Sequence, residues 1–134
     1  MTHISPTTPP IPPKPTAAEL ELLRLLWASG PASAKQVHVA AQASRPGMQY
    51  AAVLRQLQVM HTKGLLTRDE SSRAHVYAPA QQQDMLQTGL IRDLIQKAFS
   101  GSGKALVLAA LRGHVSPQER LEIQAMLDHE QPKD

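Results

Sequence analysis

A Gly30-Pro31 break separates two helix-start signatures, Thr16-Ala-Ala-Glu19 and Ser33-Ala-Lys-Gln36, and this punctuation dictates short, closely spaced helices. In such a box the hydroxyl accepts from the amide three residues on, while that residue's side chain reaches back to the first amide. Glycine followed by proline stops the first helix before the second box opens the next. Leu20, Leu23 and Trp27 recur at i, i+3, i+7 and are predicted to face inward. The second helix should run to about Ala43, with Val37, Ala40 and Ala41 on its inner face.

Ser44-Arg-Pro-Gly47 breaks the chain again, and a third helix is predicted from Met48 to Thr62. At roughly 100° per residue, Tyr50, Val53, Leu57 and Met60 fall within about 80° of one another. Met48, Ala51, Arg55, Gln58 and Thr62 then face outward, and Lys63-Gly64 supplies a C-terminal stop. The period changes next: Leu65-Leu-Thr-Arg68 and Ala74-His-Val-Tyr-Ala78 have strand composition, joined by the polar turn Asp69-Glu-Ser-Ser-Arg73. Three short helices followed by a basic hairpin is the order of a winged helix-turn-helix.

From Gln81 the chain reads helical once more. Met85, Leu86, Leu90, Ile91, Leu94, Ile95 and Phe99 make a long stripe, and Leu106, Leu108 and Leu111 lie in an almost wholly apolar run after Gly101-Ser-Gly103. A third box, Ser116-Pro-Gln-Glu119, opens a helix bearing Leu121, Ile123, Ala125, Met126 and Leu127. About 50 residues cannot bury such stripes alone. A second copy of the segment is the economical cover, so a homodimer is expected. Its contacts would come from Leu86, Leu90, Ile91, Leu94, Ile95, Leu106, Leu108, Leu111, Ile123 and Leu127. The expected fold is mainly α with a small β-hairpin. Residues 1–15, holding six of the eleven prolines, should form a disordered tail, residues 16–80 a winged helix-turn-helix, and residues 81–134 a helical dimerisation domain.

Charge is unevenly distributed. Residues 31–83 carry Lys35, Arg45, Arg55, Lys63, Arg68 and Arg73 against Asp69 and Glu70, whereas the flanking regions are neutral or slightly acidic. A cationic middle third suits a polyanionic partner. The absence of Cys excludes disulfides, thiolate metal ligands and thiol nucleophiles. No uncharged apolar run approaches the ~20 residues of a membrane span. The opening Met-Thr-His-Ile-Ser-Pro lacks a cationic patch before an apolar stretch, so a cytoplasmic protein without membrane insertion is expected. The six histidines show no i, i+4 pair, which speaks against a metal site. Gly101-Ser-Gly-Lys104 lacks the leading glycine and trailing Ser/Thr of a phosphate loop and reads as a joint between helices. No nucleophile stands at a recognisable spacing from a base, so neither enzyme chemistry nor a cofactor is expected.

These segments together resemble the penicillinase-repressor family, the BlaI/MecI/CopY group of bacterial transcription regulators. The resemblance is carried by Glu19-Leu-Glu-Leu-Leu-Arg-Leu-Leu-Trp27 before Gly30-Pro31, by Tyr50-Ala-Ala-Val53 with Leu57-Gln-Val-Met-His-Thr-Lys-Gly64, and by Ser72-Arg-Ala-His-Val-Tyr77. Phe99-Ser-Gly-Ser102 and Val115-Ser-Pro-Gln-Glu-Arg120 resemble the family's dimerisation segment. The likeness covers residues 16–130. It departs at Ala51 and Ala52, where the family usually has two threonines, and at Gln58-Val59, where it has an Asn-Arg pair. Copper-responsive members use cysteines, which are missing here.

The resemblance implies a homodimeric, sequence-specific DNA-binding repressor on an inverted-repeat operator. Such a third helix enters the major groove with its N-terminal half against base edges. Met48, Gln49, Ala51, Ala52 and Arg55 would be presented there, with Gln49 suited to adenine, Arg55 to guanine or a phosphate, and the alanines to thymine methyls. Arg45, Lys63, Arg68 and Arg73 are candidates for phosphate contacts. Arg55 can instead be a solvated helix charge, and Arg73 a turn residue bonded to Asp69 or Glu70. The resemblance also implies release through a membrane-bound sensor protease, whose cut would fall at Ala98-Phe99; the competing role for Phe99 is a core side chain. Two other readings stay open: a small-molecule-sensing regulator, and a winged-helix module that binds protein and no DNA.

Overall fold

The computed structural model describes residues 14–130. The proline-rich segment read as a tail lies almost entirely outside them. Two compact units are present, the first ending at Gln87 and the second beginning at Thr88.

In the first unit the elements follow the order α1 (Ala17–Ser29), β1 (Ala32–Ser33), α2 (Ala34–Ala41), α3 (Tyr50–Thr62), β2 (Leu66–Asp69) and β3 (Val76–Pro79). Both capping boxes form: Thr16 and Ser33 accept from the amides of Glu19 and Gln36, whose side chains return the bond. Gly30 ends α1 at φ 92°, a conformation favouring glycine. The sheet has three antiparallel strands in the order β1-β3-β2. Ala32 pairs with Tyr77, and Arg68 lies opposite Tyr77 on the other side. The third strand, β1, was not expected: its two residues lie between the Pro31 break and the Ser33 cap, too short for any period to register.

The core is assembled from all these elements. Leu22, Leu23, Leu26, Val37, Val53, Leu57, Met60, Leu65, Leu66 and Tyr77 are buried together. Each such side chain contributes about 1.5–3 kcal/mol by leaving water. The inward stripe of α1 differs from the expected one: Leu22, Leu23 and Leu26 are buried, while Leu20 and Trp27 pack half-buried at the core's margin. Ala40 faces outward on α2, where Ala34, Val37 and Ala41 are buried. On α3 the predicted Val53, Leu57 and Met60 are buried, but Tyr50 is 45% exposed because it opens the helix beyond the core. Trp27 Nε1 donates to the Gln81 carbonyl at 3.0 Å, fixing the chain after β3 against α1.

Beyond the wing lie α4 (Gln83–Ala98), α5 (Gly103–Gly113) and α6 (Pro117–His129). Ser100 and Gly101 close α4 with positive φ, and Ser102 caps α5 through the Ala105 amide at 3.0 Å. The Ser116–Glu119 capping box opens α6, and Arg120 Nη2 donates to the Leu111 carbonyl at 3.0 Å. No side chain in α4, α5 or α6 is buried. None of the helices among the described residues is long and apolar enough to cross a membrane.

Candidate nucleic-acid interface

The helix-turn-helix is made by α2, the turn at 42–49 and α3. The buried row Val53, Leu57 and Met60 fixes the rotation of α3, so Ala51, Ala52, Arg55, Gln58 and Thr62 stand exposed on the opposite side. Thr62 returns its hydroxyl to the Gln58 carbonyl at 3.1 Å. Val59 is 40% exposed on the same helix, leaving Arg55 as the one cation within an outward row of small, amide and apolar groups. No ion pair of Arg55 is found among the described residues.

Met48 requires a correction. It precedes α3 and packs half-buried against the core, because the turn carries the chain inward before the helix opens at Gln49. Its side chain therefore belongs to the fold. Gln49 itself is exposed and makes no side-chain capping hydrogen bond.

The remaining cations divide by partner. Lys63 follows α3 and donates to Glu19 Oε2 at 2.7 Å, reaching from the helix end to a carboxylate that is 2% exposed. Burial pushes the Glu19 carboxyl up, but the Lys63 hydrogen bond and charge and the Thr16 bonds outweigh it and hold it below the ordinary value. The partner of Lys63 is buried, so turning the lysine to a phosphate would leave Glu19 charged and without its cation, a cost that the more exposed partners of the other paired cations do not impose. Arg45 sits over Glu21 at 3.1 Å and remains half exposed. In the wing, Arg68 pairs with Glu70 at 2.6 Å. Hydrogen bonds from Arg68 hold the Glu70 carboxyl low, and Glu70 first, then Tyr77, holds the Arg68 guanidinium up. Arg73, at the exposed turn, has no ion pair among the described residues; Asp69 accepts from the Ser71 amide at 2.9 Å instead.

Sequence reasoning overlooked His38 and Gln42. From α2 and from the residue that caps its end, their side chains reach the Met48 carbonyl, at 2.8 Å and 2.9 Å. Their i, i+4 spacing on a helix of small residues was the available signal.

Among residues assigned to dimer contacts, Leu86 packs on the core of the first unit and is corrected accordingly. Ile91, Leu94, Leu108, Ile123 and Leu127 are exposed, as are Val107, Leu121 and Met126. Leu90, Ile95, Leu106 and Leu111 are half-buried. Ala98 ends α4 exposed, and Phe99 beside it is half-buried.

An outward-facing helix after a tight turn, flanked by a basic β-ribbon, defines the chain as a winged-helix DNA-binding regulator. The penicillinase repressor family matches it over residues 15–129, and the chain belongs to that family of transcriptional repressors. No curated protein matches the chain. Among solved structures it is similar to the solution structure of apo-NmtR, with 24% identity and a TM-score of 0.41 over 76% of this chain and 68% of that one.

Proposed function

We propose that the chain acts as a homodimer that inserts α3 of each copy into successive major grooves of an inverted-repeat operator. The observation that carries this reading is the division of α3 itself. Val53, Leu57 and Met60 have no accessible surface, while Gln49, Ala51, Ala52 and Arg55 are open to solvent at the end that would meet base edges. Arg55 is assigned to a guanine or a phosphate, Gln49 to adenine and the alanines to thymine methyls. Arg73, Arg68 and Arg45 are assigned to phosphates, the last two after exchanging a carboxylate for the backbone.

Dimerisation through residues 81–134 is supported by the exposure of Leu94, Val107, Leu121, Met126 and Leu127, an apolar surface unusual for a lone chain in water. Release is assigned to cleavage at Ala98-Phe99, which would separate this segment from the DNA-binding part; two linked half-site contacts would then cease to reinforce each other.

The test is selection of duplexes from a random pool by the intact protein, with sedimentation of the free and bound species. An enriched inverted repeat with half-sites ~34 Å apart, bound by two chains, is the expected result. Failure to enrich any sequence would overturn the operator assignment. With ~4 phosphates neutralised per copy, affinity should fall with salt on a log–log slope near −7.

A further inference from the structure

The recognition helix begins without a cap of its own. Gln49 has extended backbone angles and stands at the N-cap, yet its side chain accepts nothing from the following amides, although only its backbone carbonyl engages Ala52 and Val53. Helix starts are ordinarily fixed by such a side-chain bond. Here the entry is held from outside. The Met48 carbonyl, one residue earlier, accepts from His38 Nε2 at 2.8 Å and from Gln42 Nε2 at 2.9 Å. A carbonyl only accepts, so the His38 Nε2 carries its hydrogen in this bond. Gln42 also accepts from the Gly47 amide at 3.2 Å through its other terminal atom, gripping the turn from both sides. The His38 ring meets the Tyr50 ring edge-on, with centroids 6.0 Å apart. Two side chains, one on α2 and one at its C-cap, thus fasten residues 47–50, and the Gln49 side-chain amide is left unengaged and exposed.

We infer that His38 and Gln42 are positioning residues for base readout: they set the entry angle of α3 and release Gln49 to be a specificity-determining side chain. The inference rests on the operator-binding reading above. The physical reason is division of labour. A capping Gln49 would fold back on the helix, whereas a helix held through Met48 keeps that amide facing outward, with donor and acceptor suited to the adenine edge. Loss of the fastening lets the first turn of α3 shift or fray while Val53, Leu57 and Met60 still anchor the rest. Sequence discrimination should therefore fall and charge-driven binding should survive.

The experiment uses the intact chain and three variants, His38→Ala, His38→Gln and Gln42→Ala. Each is measured against the duplex that wild type enriches from a random pool and against a scrambled duplex of equal length. For His38→Ala and Gln42→Ala, affinity for the enriched duplex should fall about tenfold, the scale of one lost bidentate contact. Scrambled-duplex affinity should hold, and His38→Gln, retaining a donor, should recover most of the loss. Amide hydrogen exchange at Ala52 and Val53, both bonded to the Gln49 carbonyl, should quicken in the two alanine variants without DNA. If His38→Ala does not fold, Gln42→Ala, which leaves the histidine bond in place, carries the same comparison. Equal losses on both duplexes, or unchanged affinity with unchanged exchange, would overturn the positioning role while leaving operator binding standing. A wild type that enriches no sequence would overturn both.

Discussion

Lys63 Nζ lies 2.7 Å from Glu19 Oε2, so the residue that ends the recognition helix is tied to the residue that closes the first capping box. One carboxylate does two jobs: Oε1 accepts from the Thr16 amide at 2.9 Å while Oε2 accepts from the lysine. It is the buried charged residue of a core otherwise apolar.

Replacing Lys63 with alanine strands that carboxylate. Breaking a buried pair from one side costs about 3–5 kcal/mol, and because the lysine is a third open to solvent a loss near 2–3 kcal/mol is expected. Chemical denaturation of Lys63→Ala should register it, while the salt slope of DNA binding should stay at the wild-type value. A slope reduced by about one, with stability intact, would return Lys63 to the phosphate contacts.

The same pair sets an acid limit. The Glu19 carboxyl is held below its ordinary value in the folded protein, so its contribution is complete above the unfolded value of about 4.3 and fades as pH drops through the folded one. Wild type should therefore lose stability over that acid window more steeply than Glu19→Gln, a comparison that thermal melts across pH settle.

Much of this architecture was legible because it is local. Thr16, Ser33 and Ser116 announced their helices through a partner three residues away, and Val53, Leu57 and Met60 announced a buried face through period alone. What escaped depends on distance in sequence. Glu19 and Lys63 are 44 residues apart, and nothing in the capping box says that its glutamate is buried. β1 exists only because Tyr77 and Val76 lie alongside it. Met48 kept the outward phase of α3 on paper, but the helix starts two residues later and the turn tucks its side chain inward. The i, i+4 spacing of His38 and Gln42 was in the sequence, but it does not say that both reach the backbone carbonyl of Met48.

Arg55→Ala should weaken binding to the enriched duplex by about 1–3 kcal/mol and relax one base position on each half-site. Repeating the duplex selection with the variant checks this directly. A uniform loss across sequences would make Arg55 a phosphate contact.

In the wing, Glu70 competes for Arg68 with any incoming phosphate. Glu70→Gln should raise affinity for scrambled and enriched duplexes alike and steepen the salt slope by about 0.9 for each copy bound. Titrations at several salt concentrations measure both changes.

Leu94→Asp or Leu127→Asp places a charge on the apolar surface assigned to the partner copy. Either should sediment as a monomer, keep its affinity for a single half-site, and bind the full repeat about a hundredfold more weakly.

Residues 88–130 include no fully buried residue within one copy, and Leu90, Ile95, Phe99, Leu106 and Leu111 are only half-buried, so these helices draw little stability from an interior of their own. Beyond their caps and the Arg120–Leu111 bond, further order would come from the proposed second copy docked upon them, and such a loan scales with how many molecules there are. Melting of this half should accordingly shift with protein concentration. For the proposed dimer, abundance would become a structural variable: scarce copies would be both poorly paired and loosely folded, and occupancy of a two-fold DNA site would rise more steeply than the number of chains made.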